Sequence, residues 1–194
     1  MTNCIFNNHN DSGLKIQMNE GAEIKNLLFT HLTMTNVPRP LFLTLCQKNA
    51  WYAAPWNQLP PMGSISDLRF EDITVNDEHG SKNSGFVIVG MPGHPVENLL
   101  FKNIRAVFPG GGTAADATNM VSELTPENLG NRWPEMGSLR RVAPAHGLFA
   151  RHVKGILLDN IEINTKGADA RPVIVFDDVA ESTTRRSPKP VNVP

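Results

Sequence analysis

One pattern constrains this chain more than any other: an eleven-residue segment recurs four times without gaps. It reads "IKNLLFTHLTM" from Ile24, "ISDLRFEDITV" from Ile65, "VENLLFKNIRA" from Val96 and "VKGILLDNIEI" from Val153. Apolar residues fall at its first, fourth, sixth, ninth and eleventh places. The third place holds Asn26, Asp67, Asn98 and Gly155, and the eighth holds His31, Asp72, Asn103 and Asn160. Period-two alternation broken by residues that tolerate left-handed backbone predicts short strands joined by sharp bends, not helices. The starts lie 41, 31 and 57 residues apart. A constant unit with loops of variable length marks a solenoid, and strand-rich coils with Asn and Gly at their corners predict a parallel β-helix. Stacking would turn the third and eighth places into hydrogen-bonded polar ladders.

A second strand follows each segment: "PLFLTLC", "GFVIVG", "GLFARH" and "RPVIVFDD". Aligned with "SGLKIQM" near the start, these put Leu14, Leu41, Phe86, Leu148 and Val173 in one inward column. Ile16, Leu43, Ile88, Ala150 and Val175 form the next. The outward columns are Lys15, Phe42, Val87, Phe149 and Ile174, then Gln17, Thr44, Val89, Arg151 and Phe176. The opening "MTNCIFNN" reads as the same repeat, with Met1 at the first place, Asn3 at the third and Phe6 at the sixth. On this reading the chain starts at the first residue of a coil and is N-terminally truncated. The expectation is an all-β, single-domain solenoid of about five coils over residues 1–180. A long insertion runs over 110–145 and a flexible Pro-rich tail over 181–194.

Bulk properties narrow the function classes. Charged residues make up 19% and the formal net charge is -1, against a nucleic-acid binder. There are two cysteines, Cys4 and Cys46, which argue against a disulfide framework and are expected as small buried thiols. No Cys/His spacing resembles a metal site, and no cofactor is expected. No run approaches the length of a membrane span, and no basic-then-apolar leader opens the sequence.

The pairing of "CIFNNHNDSGLKIQM" with "IKNLLFTHLTMTNVPRPLFLTLCQ" resembles glycoside hydrolase family 28, the polygalacturonase and rhamnogalacturonan-hydrolase type. "SGFVIVGMPGHPVENLLFKNI", "PAHGLFARHVKGILLDNIEI" and "DARPVIVFDDV" resemble the C-terminal coils of that family. The resemblance covers Met1 to about Val179 and only the back portion of the usual domain. It implies a right-handed parallel β-helix of the pectin-lyase type, an inverting polygalacturonase-like hydrolase if active, and a family usually exported. The family's motifs run Asn-Thr-Asp, Asp-Asp, Gly-His-Gly, then Arg-Ile-Lys. The first three belong before Met1. The last has its counterpart in Lys15, Ile16 and Gln17, and the resemblance implies that this stretch binds a substrate carboxylate. Lys15 keeps a positive charge and Gln17 lacks one.

Inverting hydrolysis needs two carboxyl groups about 6.5–9.5 Å apart. The outward columns as aligned hold none. Asp11 and Glu20, which flank the Lys15 strand, are the candidate acid and base, with loop residues as the alternative reading. Asp177 and Asp178 read as a turn after the last strand. A uronate lyase is another reading, through Lys15, Arg151 and His152. Trp51, Tyr52 and Trp56 suit either a sugar platform or a pin that holds their loop. His94, Arg151 and His152 suit an anionic sugar, and His146 lies nearby.

The outward Phe42, Val87, Val89, Phe149, Ile174 and Phe176 form an apolar stripe that something must cover. The insertion, through Leu124, Leu129, Trp133 and Leu139, and a second copy of the chain are the two expected covers. Three functions stay open: a carbohydrate-active enzyme, a non-catalytic binder of acidic oligosaccharide, and a self-associating structural β-helix. The expected partners are an acidic oligo- or polysaccharide and a second copy covering the first coil or the front sheet. Neither nucleic acid nor membrane is expected.

Overall fold

In the computed structural model, which describes residues 1–48, 59–130, 132–137, 139 and 142–193, each repeat becomes one long bent strand. These are β1 (Thr2–Asn7), β3 (Glu23–Thr35), β5 (Ser64–Asn76), β7 (Val96–Phe108) and the second part of β8 (Leu148–Thr165). The second strands are β2 (Ser12–Met18), β4 (Arg39–Leu45), β6 (Phe86–Val89), the first part of β8, then β9 (Ile174–Arg185) and β10 (Val191–Val193). All pairings between these strands are parallel, in the order β1-β3-β5-β7-β8-β6-β4-β2, with β9 on β8 and β10 on β9. β8 is continuous through both columns, so the chain is all-β, its parallel sheet nearly closed into a barrel-like solenoid.

The bends fall where the sequence puts them. Asn26, Asp67, Asn98 and Gly155 all have positive φ, as do His31, Asp72, Asn103 and Asn160. Asn and Asp accept this conformation because their short side chains hydrogen-bond locally. Here they also bond along the stack. Asn98 Nδ2 donates to Asp67 Oδ1 at 3.1 Å. Asn103 Nδ2 donates to Asp72 Oδ1, and Asn160 Nδ2 to Asn103 Oδ1, each at 2.8 Å. Inside, the sixth place forms a ring stack: Phe29 on Phe70 at 5.3 Å and Phe70 on Phe101 at 4.8 Å.

The structure corrects three expectations. First, Cys4 pairs with Leu32 and Phe6 with Met34. Met1 therefore lies level with the sixth place, and Asn3 with the eighth. The two bend places are alike, each an Asn-type residue followed by alternation, and the opening stretch fits the second. Second, β9 is shifted one residue from the expected alignment. Leu148 faces Ile174, Phe149 faces Val175 and Arg151 faces Asp177. Ile174 and Phe176 therefore join the interior, while Val175 points outward. Third, part of the stretch expected as a flexible Pro-rich tail carries strand. β9 runs to Arg185 beside β8, and β10 adds a further strand. Ser187 Oγ accepts the Ile161 N–H at 3.2 Å. Among the described residues each column thus holds six strands, one more than the expected five coils.

The connection 109–147 folds back over the outward face of the second column. It carries a 3-10 turn at Asp116–Thr118 and one helical turn, α1 (Pro126–Leu129), capped by Thr125. Val121, Leu124, Leu129 and Leu139 close over Phe42, Val87, Val89, Phe149 and Val175, forming a second apolar core. The chain therefore covers its own front stripe with the insertion. Trp133, expected as an anchor, stays 40% exposed, with the Lys48 ammonium 5.1 Å from its ring centre.

Arg171 fastens this insertion at its root. Its guanidinium and the Asp169 carboxylate form a two-point pair, each side chain 1% exposed. Arg171 Nη1 also donates to the carbonyls of Lys82, Ala143 and Ala145. Asp169 accepts the Gly112 N–H, so one ion pair holds both ends of the insertion. Burial works to raise the Asp169 carboxyl, but the Arg171 hydrogen bonds and charge and the Gly112 N–H outweigh it, lowering it to about 2.

Candidate functional site

Lys15 and Gln17 point outward from β2, as alternation requires, and the insertion meets both. Lys15 Nζ lies 2.7 Å from each Glu135 oxygen, and Gln17 Nε2 donates to the Pro134 carbonyl at 3.1 Å. The Lys15 and Glu135 side chains are 33% and 42% exposed. A pair this wet is worth at most about 1 kcal/mol, so it closes the position without locking it.

Asp11 sits just before β2. It is 3.5 Å from Lys15 and pairs with the Arg39 guanidinium at the start of β4. Partial burial works to raise its carboxyl, but Arg39 and then Lys15 outweigh that and hold it below the ordinary value. A general acid needs the opposite shift. Glu20 lies beyond the other end of β2, exposed in the turn before β3. At about 3.3 Å per residue the intervening strand alone spans roughly 20 Å. The expected pair of Asp11 and Glu20 is thus too far apart to share one glycosidic bond.

Arg151 and His152 lie elsewhere. Three strand steps, about 14 Å, separate β2 from β8 across β4 and β6, so they do not share a site with Lys15. Each is engaged within the chain. Arg151 pairs with Glu123 of the insertion, donates to the Val121 carbonyl, and lies 3.1 Å from Asp177 Oδ2. His152 Nε2 lies 2.7 Å from Glu123 and Nδ1 2.5 Å from Asp178. His152 (φ 49) and Asp178 (φ 53) occupy neighbouring bends, so their contact extends the ladder logic of the first column. Gly90 stands beside them because any Cβ there would strike the His152 carbonyl. The cluster latches the insertion to the sheet. The aligned sequence missed it because the one-residue slip of β9 hid Asp177 from Arg151.

His94 is exposed in the tight β6–β7 turn, where its backbone bridges Met91. His146 Nδ1 is 2.8 Å from the Arg171 carbonyl, at the root of the insertion. Trp51, Tyr52 and Trp56 lie outside the described residues. Burial pushes the Cys46 thiol up to about 12, against a smaller lowering by Lys48, and Cys4 is partly buried. Among the described residues no group of three or more His, Cys, Asp or Glu side chains is placed to hold a metal ion.

A cleft not anticipated from sequence opens at the N-terminal ends of β2, β4 and β6. It encloses about 460 Å³ between the connections 8–11, 36–38 and 77–85. Asn8, His9, Asn36, Arg39, His79 and Asn83 face it. Its floor is fixed: Asn36 Nδ2 donates to Asn8 Oδ1, and Asn36 Oδ1 accepts the Glu78 N–H. Asp77, 1% exposed, shapes the third connection by accepting from the Gly80 N–H and the Ser84 hydroxyl. Asp11 joins this cleft to the front strand through Arg39 on one side and Lys15 on the other. No family model matches the chain, and no curated protein or solved structure matches it.

Proposed function

We propose that this protein is a right-handed parallel β-helix related to glycoside hydrolase family 28, and that it binds acidic oligosaccharide at Lys15 without hydrolysing it. The observation that carries the reading is the Glu135 carboxylate seated on Lys15 with both oxygens at 2.7 Å. A carboxylate already occupies the position where the resemblance puts that of a uronate. The pair is exposed and weak, so a bound uronate carboxylate can displace it. The parallel stack and the Lys15–Ile16–Gln17 stretch on its front strand support the family relation. Binding is favoured over hydrolysis because the acids nearest Lys15 are committed, Asp11 to Arg39 and Glu135 to Lys15 itself.

The test is calorimetric titration with oligogalacturonate at low salt. Glu135→Gln removes the competing charge and should tighten binding about three- to fivefold, the most that a surface pair supplies. Lys15→Ala should abolish it, and added salt should weaken it. Equal binding by Lys15→Ala, or none by wild type and Glu135→Gln alike, refutes the reading. Release of reducing ends would refute its non-catalytic half.

A further inference from the structure

We propose, resting on the Lys15 reading above, that the turn 132–137 is a flap which must leave the front sheet before Lys15 takes a ligand, and that Lys48, outside the binding site, helps to hold it shut. Successive residues of this turn meet the front sheet. The Trp133 ring centre lies 5.1 Å from the ammonium of buried Lys48. The Pro134 carbonyl accepts from Gln17, and the Glu135 carboxylate sits on Lys15. These residues move as one body. Pro134 fixes its own φ and confines Trp133 to extended backbone, and the Glu135 N–H closes back on the Trp133 carbonyl at 2.8 Å. Gln17 is the next outward residue after Lys15 on β2, about 6–7 Å along the strand. A carboxylate bound to Lys15 brings its sugar ring with it, and the Pro134 backbone occupies the ground beside it on Gln17. Displacing the Glu135 carboxylate alone does not make room, so the turn has to lift.

The turn is built to lift. Glycines bracket it at 130 and 137. Gly130 holds φ 54 and ψ -123, a conformation that side chains rarely accept. Gly137 has no positive φ, and a Cβ there would meet nothing within 4 Å, so what glycine supplies at 137 is freedom to swing. Outside the two glycines, Leu129 and Leu139 are buried in the second apolar core, so the seal on the front stripe survives opening. The closed seat is nonetheless definite. The Arg132 N–H donates to the Leu129 carbonyl at 3.0 Å and the Leu139 N–H to the Glu135 carbonyl at 3.1 Å, while Met136 packs on the edge of that core.

A ligand that binds only the open form has its affinity reduced by the open fraction. Any contact that holds the turn down then lowers affinity, even one remote from the ligand. The Lys48 ammonium faces the Trp133 ring, so its contribution is to the closed form. The consequence runs against simple electrostatics: removing this cation strengthens the binding of an anion.

The experiment is calorimetric titration of Lys48→Met and Trp133→Leu, each in the full chain, with oligogalacturonate at low salt. Each should tighten binding about two- to fivefold, the factor that one cation–π contact supplies. Lys48→Met should do the same in the Glu135→Gln background, because both contacts act on one opening. Lys48→Arg keeps a cation on the ring and should leave the affinity at the wild-type value. Circular dichroism identifies the folded variants, and either of the first two decides the matter if the other fails to fold. Wild-type or weaker affinity in a folded Lys48→Met or Trp133→Leu variant overturns the flap and leaves the Lys15 site standing. Weaker binding by Lys48→Met would mean that this cation attracts the ligand, and weaker binding by Trp133→Leu that the ring carries the sugar. No binding by wild type and Glu135→Gln alike would instead refute the site itself.

Discussion

Asn103 shows what a single residue does in this stack. It holds φ 54, donates to Asp72 and accepts from Asn160, so it carries both the bend and two rungs of a ladder. Asn103→Ala removes both bonds and puts a Cβ residue without local compensation into left-handed backbone. The expected loss is about 2–4 kcal/mol. Asn103→Gly removes the same bonds and keeps the backbone at ease, and should cost about 1–2 kcal/mol less than Ala. Urea denaturation of the pair checks this, and equal losses would mean that the bend carries no strain. These places were legible in the sequence because an Asn, Asp or Gly interrupts strict alternation at fixed spacing. The same rule weakens at the end of the stack, where Glu181 (φ 56) and Arg186 (φ 47) take the bends. Neither residue type signals a turn, which is why this last stretch read as a tail.

Among the elements, legibility followed the strength of alternation. The registers from β3 to β8 follow from the repeat because each apolar place has one match. Val173–Ile174–Val175–Phe176 is an unbroken apolar run, so two registers bury equally well and a one-residue slip costs nothing on paper. The insertion has no period at all. That its leucines would seal the front stripe was readable from composition, whereas Glu123 and Glu135 meeting Arg151 and Lys15 depends on a path no local pattern encodes. Its anchor is testable. Asp169 lies below its unfolded value, so its contribution is full above about pH 4 and is lost as pH falls toward about 2. The shift corresponds to roughly 2 kcal/mol, and both partners are buried, so little is lost to solvent screening. Hydrogen exchange of Val121, Leu124 and Leu139 should rise over that window, ahead of the Phe70 and Phe101 strands. Arg171→Met leaves Asp169 buried and unpaired, and should cost about 3–5 kcal/mol at pH 7. Exchange that rises uniformly through the chain on acidification would refute an anchor specific to the insertion.

Across the whole molecule, the insertion changes how a solenoid holds together. In a simple stack each rung touches only its neighbours, so stability is a sum of local terms and the ends open independently. Here one segment meets β2 through Pro134 and Glu135, and β8 and β9 through Glu123 and the second apolar core. It clasps strands three to four steps apart on the sheet path. Opening either end of the front sheet must therefore strain or release the clasp, which couples rungs that do not touch. Wild type should unfold in urea as one transition, with near- and far-UV circular dichroism coincident. The double variant Glu123→Gln, Glu135→Gln keeps the apolar seal but removes both charged clasps. It should unfold at lower urea with a smaller apparent m-value and divergent probes, because β2 can open before β8 and β9. Each single variant should lower the midpoint less than half as much as the pair, since one clasp still spans part of the sheet. Strict additivity, with the wild-type m-value retained in the double variant, would mean that the insertion is only a lid and the stack is cooperative without it.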